Sequence, residues 1–248
     1  MPYKLSPVIL GALEPPSPLP AVIEFDAARL LGRPLGPTCQ ARVLLTTAAA
    51  GDVGPNAADP ATARAAVAAG RWVTTRQVHG REVHDAAGLE RREPGDGLVA
   101  SASGDVLLAM FAADCALVAM VSGEGVVGVA HCGWRGLEAG VVQAVASAMR
   151  ERGATSIAAL RSPCICPGCY EFGEGDLARL VSRYGPGLAA STRQGSPALD
   201  LRAGVRQAAD EALIERLVEV DACTACEAGW FSYRARGDTA RFAVAVTA

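Results

Sequence analysis

His79, Cys115 and His131 are the side chains whose types are best suited to chemistry in this 248-residue sequence. The chain has only three histidines. Two of them end the stretches "RWVTTRQVH" and "VVGVAH", and Cys115 ends "VLLAMFAADC". Two neutral imidazoles and a thiolate suit Zn²⁺ at about 2.0–2.3 Å, and three protein ligands leave a fourth position open, as catalytic zinc sites do. The separations are long, unlike those of a local metal motif. Two other readings therefore stand beside this one. Each histidine could be a satisfied core residue, or Cys115 could be a nucleophile with His131 as its base. His84, in the polar stretch "REVHDA", reads as a surface residue.

The remaining thiols are unevenly placed. Cys164, Cys166 and Cys169 crowd "SPCICPGC", Cys223 and Cys226 form "CTAC", and Cys39 and Cys132 stand apart. The C-x-C-x-x-C and C-x-x-C pieces have the ingredients of a structural zinc site. Read as unpaired pieces, they are expected to be buried or loop thiols and not a second catalytic centre.

These residues need elements to position them. Alternating or continuous apolar runs predict strands at "AVIEF", "ARVLLTT", "RWVTTRQVHG", "SIAAL", "VEVDACT", "GWFSYRA" and "RFAVAVTA". Two or three more buried strands, with a turn at "GEG", are expected between 105 and 131, at the centre of one apolar core. Helices are expected over 59–70, over 136–153 with Val141, Val142, Val145 and Met149 facing inward, and over "GDLARLVSRYG" and "LRAGVRQAADEALIERL". Residues 1–40 read as an irregular, proline-rich leader packed on a single mixed α/β domain at 41–248.

Composition narrows the function classes. Half the residues are apolar, which is enough for a sizeable core, and the net charge is −3 with no basic block. Nucleic acid and anionic membranes are poor partners for such a chain. No apolar run nears the ~20 residues of a membrane span, and the start does not read as a signal peptide. A cytoplasmic location is expected, with the eight cysteines mostly reduced.

Taken in order, "RQVHG" (76–80), "AADC" (112–115), "AHCGWRG" (130–136), "SPCICPGCYEFG" (162–173) and "CTACEAGWFSYRARGDTAR" (223–241) resemble the YfiH-type proteins. That family is known both as polyphenol oxidoreductase or laccase-domain proteins and as purine nucleoside phosphorylases. The resemblance spans about residues 41–248. It implies an α+β fold, a β-sandwich flanked by helices in αββα layers. It also implies a metal site of His79, Cys115 and His131, zinc as the cofactor with copper possible there, and purine nucleoside and phosphate as substrates. The implied reactions are phosphorolysis of adenosine, inosine or methylthioadenosine and deamination of adenosine. A four-copper laccase is excluded by counting, since one further histidine cannot ligate the extra coppers. The chain departs from the family before "QVHG": Ala48 stands where an arginine is usual, and an Asn-Arg pair is missing.

Within that resemblance, Cys115, His131 and Arg135 are the candidate catalytic residues. Arg135, at the start of the helix expected after "GWRG", could hold phosphate together with helix N-terminal N–H groups. Gln77, Trp134, Tyr170, Glu171, Tyr233 and Arg234 are candidate substrate contacts, and Asp114 could instead anchor structure. A non-catalytic metal-binding or interaction protein is the remaining alternative.

Overall fold

The computed structural model describes residues 8–13, 19–33, 41–101 and 106–247. Cys39 and residues 102–105 lie outside them. In chain order the strands are β1 (Val8–Leu13), β2 (Val22–Asp26), β3 (Arg42–Thr46), β4 (Arg71–Val73), β5 (Val83–Asp85), β6 (Gly97–Ser101) and β7 (Val106–Ala112). Then follow β8 (Ala116–Ser122), β9 (Val126–Cys132), β10 (Ile157–Arg161), β11 (Ala189–Ser191), β12 (Pro197–Leu199), β13 (Arg216–Val220) and β14 (Phe242–Thr247). The helices are α1 (Ala27–Leu31), α2 (Pro60–Val67), α3 (Trp134–Ala139), α4 (Val141–Glu151), α5 (Glu174–Tyr184), α6 (Leu201–Glu211) and α7 (Tyr233–Arg236).

A mixed seven-stranded sheet, ordered β1-β13-β10-β8-β9-β6-β5, packs on a mixed five-stranded sheet ordered β2-β3-β14-β7-β4. Successive residues of β8 show why. Leu117, Ala119 and Val121 face the five-stranded sheet, while Ala116, Val118 and Met120 face the helices. Strand neighbours point to opposite faces, so a continuously apolar strand buries both. The single core expected from sequence is therefore three clusters: one between the sheets, one beneath α3–α6, and one between the five-stranded sheet and α2. The layers run αββα, in a single mixed α+β domain. Val141, Val142, Val145 and Met149 are fully buried against the seven-stranded sheet, on the face their helical spacing marked. No helix among the described residues is long and apolar enough to cross a membrane.

Four elements differ from the sequence reading. The helix expected over 136–153 is two helices, because Gly140 adopts φ 86° and ends α3 after six residues. The strand expected up to His79 stops at Val73. The helix expected through 217 ends at Glu211, and Arg216 and Leu217 open β13 instead. The strand expected at "GWFSYRA" is a loop and the short helix α7, whose backbone bonds to side chains rather than to a neighbouring strand. Residues of the expected leader supply β1, which pairs with β13, and β2, which pairs with β3.

Between β10 and β13, Arg161 and Glu219 form a buried ion pair at 2.8 Å, and Arg206 reaches the other Glu219 oxygen. Burial raises the Glu219 carboxyl, but the two arginines outweigh it and hold it below the usual carboxylate range. A depressed folded pKa adds stability above the unfolded value, and that part is lost as pH falls through the folded one. On acidification below about pH 4.5, the ordinary glutamate range, the wild type should lose urea stability more steeply than Glu219→Gln does. At pH 7, Arg161→Ala should cost about 3 kcal/mol, because it leaves a buried carboxylate half-paired. Equal acid slopes for the wild type and Glu219→Gln would show that the pair carries no such linkage.

Candidate metal centre and cleft

The chain changes sheets between β7 and β8, and Cys115 sits in that crossing. Asp114 beside it takes φ 101°, a left-handed conformation that a non-glycine residue adopts only when held. It is held: its carboxylate accepts from Thr224 Oγ1 (2.7 Å), Ser232 Oγ (2.6 Å) and the Arg234 N–H (2.7 Å). Asp114 thus anchors structure and ties the loop after β13 to the crossing.

His131 lies near the end of β9, and His79 lies on a turn at φ 61°. Gln77 fixes that turn to β7. Its amide donates to Phe111 O (2.8 Å) and accepts from Phe111 N–H (3.0 Å). Ligand atoms of His79, Cys115 and His131 all lie within 4.8 Å of one another, with Cys115 Sγ 3.9 Å from His79 Nε2. Gly133 makes room for them, because a Cβ there would stand 2.9 Å from Cys115 Sγ and 2.8 Å from His79 Cδ2.

Sequence reasoning missed Asp96, the residue that organises this trio. Fully buried at the foot of β6, its carboxylate accepts the N–H groups of Val78 (3.1 Å), His79 (3.1 Å) and Gly80 (2.7 Å). It also accepts from His131 Nδ1 at 2.8 Å. An ionised carboxylate only accepts, so Nδ1 carries a proton and Nε2 is the nitrogen that would ligate once a metal displaces its own proton, as with outer partners of metal-bound imidazoles. Burial alone would raise the Asp96 carboxyl, but His131 and these N–H groups hold it below the usual range. Nothing in the spacing of "EPGDG" announces this role. The register of β6 against β9 creates it.

The electrostatics are those of paired ligands. Burial raises the Cys115 thiol, but His131 and His79 outweigh it and bring it down to about 6. Burial likewise lowers His131, while the Cys115 thiolate and Asp96 lift it to about 9. Cys132, next along β9, faces the helices, where burial pushes its thiol up. The donor set of two imidazoles and a low-pKa thiol fits a divalent transition metal. His84 stands apart in β5, with its Nε2 2.9 Å from Pro94 O, so it adds no ligand for a second copper.

The trio opens into a cleft of about 680 Å³. Gln77, Trp134, Arg135, Tyr170, Tyr233 and Arg234 line it as well. Trp134 meets Phe172 edge to face at 5.3 Å, Arg135 stacks 4.2 Å over the Trp134 ring, and Arg234 lies 5.2 Å over Tyr170. Glu171 is not among the lining residues; its carbonyl accepts from Arg234. Three cations that sequence reasoning missed, Arg76, Arg92 and Arg241, also line the cleft. They come from separate loops and carry no spacing signal. Ala48, the departure noted in the sequence, is in a short turn outside the lining.

The cysteines give the main correction. Cys166 to Cys169 is itself a C-x-x-C, and the fold brings it against Cys223 and Cys226. The four sulfurs lie within 4.8 Å of one another. They are loop thiols, as expected, but the two pieces are paired in one cluster and not the unpaired pieces the sequence suggested.

Known proteins resemble this chain in sequence and in fold. A purine nucleoside phosphorylase of Streptomyces coelicolor is 37% identical over 70% of this chain and 73% of its own. A purine nucleoside phosphorylase of Mycobacterium tuberculosis is 33% identical over 77% of this chain and 80% of its own. The crystal structure of YlmD from Geobacillus stearothermophilus, 29% identical, superposes with a TM-score of 0.72 over 86% of this chain and 93% of that one. A Neisseria meningitidis protein, 23% identical, shares the fold with a TM-score of 0.75 over 92% of this chain and 99% of that one. The family model described as multi-copper polyphenol oxidoreductase laccase matches residues 49–248, and the chain belongs to that family.

Proposed function

We propose that this protein is a zinc-dependent purine nucleoside phosphorylase whose site lies within residues 41–248. It converts adenosine, inosine or methylthioadenosine to base and pentose 1-phosphate, and deaminates adenosine in the same pocket. The observation that carries the reading is the convergence of His79, Cys115 and His131 on the wall of an arginine-lined cleft. These three residues would hold the metal, and Cu²⁺ could take the same ligands. When bound, the metal supplies Lewis-acid charge that activates a nucleophile at neutral pH.

The chain's own residues do the rest. Trp134, Tyr170 and Tyr233 offer ring faces to a purine, and burial keeps the Tyr170 hydroxyl protonated. Arg234 borders the same wall. Gln77 spends its amide on Phe111 and so acts by positioning His79. Arg135 is exposed at the cleft and takes the phosphate. The six-residue helix whose first turn it occupies adds little dipole, so the guanidinium carries the anion. In phosphorolysis a phosphate oxygen attacks the anomeric carbon as the bond to the base nitrogen breaks, and the phosphate's proton ends on the base. Holding both reactants in one pocket supplies the proximity this step needs.

Arg135→Ala should raise the KM for phosphate about tenfold, the loss of one charge-assisted contact, and leave adenosine deamination nearly unchanged. Base release against phosphate concentration measures this. Unaltered phosphate response in the variant would remove Arg135 from the role. The lowered Cys115 thiol beside His131 also favours a second reading, a cysteine hydrolase working without metal. Metal content separates the two, because a bound ion occupies the thiolate.

A further inference from the structure

We propose that Cys166, Cys169, Cys223 and Cys226 hold a structural zinc ion, distinct from the centre at Cys115, that staples together the two loops walling the cleft. Each C-x-x-C closes the same turn: Cys169 N–H donates to Cys166 O (3.0 Å) and Cys226 N–H to Cys223 O (3.2 Å). The two turns face one another. Cys226 Sγ lies 3.4 Å from Cys169 Sγ and 3.9 Å from Cys166 Sγ. Tetrahedral zinc with Zn–S bonds of about 2.3 Å sets sulfurs about 3.8 Å apart, so the cluster is already near the size of a filled site.

The surroundings suit four thiolates on one dication, a group of net charge −2. Cys166 N–H donates to Cys223 Sγ at 3.2 Å, and the Arg193 guanidinium reaches Cys226 Sγ at 2.9 Å. All four are free thiols, and a four-cysteine set is what structural zinc takes.

The position gives the ion a job. Residues 163–172 carry Tyr170, and 221–236 carry Tyr233 and Arg234. Besides the cysteine side chains, the loops meet through Thr224 N–H to Cys164 O (3.4 Å), through Arg234 to Glu171 O and the Tyr170 ring, and through Asp114, whose carbonyl accepts from Ile165 and whose carboxylate accepts from Thr224. Zinc at the cluster locks this joint from its outer side.

Zinc per chain after reconstitution and removal of excess, read by mass spectrometry, tests the proposal. The wild type should hold two ions and Cys115→Ala one. The double variant Cys166→Ala/Cys226→Ala should also hold one, with 221–236 cleaved faster by protease. Cobalt added to zinc-free Cys115→Ala should give the intense visible bands of a tetrahedral thiolate site, a readout that does not need the double variant to fold. No metal in Cys115→Ala, no such bands, or a Cys169–Cys226 disulfide in the reduced-purified protein would each overturn it. The zinc count in Cys115→Ala is independent of activity, so it stands or falls apart from the phosphorylase reading.

Discussion

Cys115→Ala should empty the proposed metal centre and, on the phosphorylase reading, lower kcat/KM for nucleoside phosphorolysis by roughly 10³-fold or more, the scale lost when a main source of transition-state charge stabilisation goes. The reasoning is local. Cys115 is the sole sulfur of the trio, and His79 Nε2 lies 3.9 Å from it. Two imidazoles alone leave a weak site. The fold should survive, because Cys115 is only partly buried and the crossing it occupies is held by Asp114. The urea midpoint should therefore stay near the wild type while activity and one metal ion are lost together. Activity retained with that ion absent would detach the chemistry from this centre.

The second large effect belongs to Asp96. Asp96→Asn should weaken zinc affinity at the Cys115 centre about 10- to 100-fold, the usual cost of losing an outer partner of a ligating imidazole. The amide cannot supply two acceptor oxygens to three N–H groups and His131. Asp96→Ala should in addition cost about 3 kcal/mol of stability, because it orphans the buried His131 N–H and three partly buried backbone N–H groups. Chelator competition and urea unfolding read the two effects separately. An Asn variant that binds zinc like the wild type would show that Asp96 shapes the turn without orienting His131. Excess zinc should restore turnover to the Asn variant, which a purely structural defect would not allow.

How much of this was legible in the sequence varied with how local the cause is. β8 and β9 were readable because both faces of each are buried, leaving unbroken apolar runs. The inward face of α4 was readable from its spacing. The break at Gly140 was not, since the apolar pattern runs through it and only its left-handed φ reveals the end of α3. "GWFSYRA" misled because its aromatics favour strands, while Asp114 and Asp238 capture the backbone donors a neighbouring strand would need. The metal trio was visible as residue types at the ends of apolar stretches. Asp96 was not, because its partners come from two other segments. The cysteine cluster was half visible: both C-x-x-C pieces stood in the sequence, and the parallel bridge of Cys164 with Cys223 brings them together.

The most direct test is phosphorus NMR of the zinc-reconstituted protein incubated with inosine, adenosine or methylthioadenosine and inorganic phosphate. Pentose 1-phosphate should accumulate mole for mole with free base in the wild type and be absent with Cys115→Ala. A wild-type protein with its Cys115 centre filled that forms no sugar phosphate from any of these nucleosides would contradict the phosphorylase assignment.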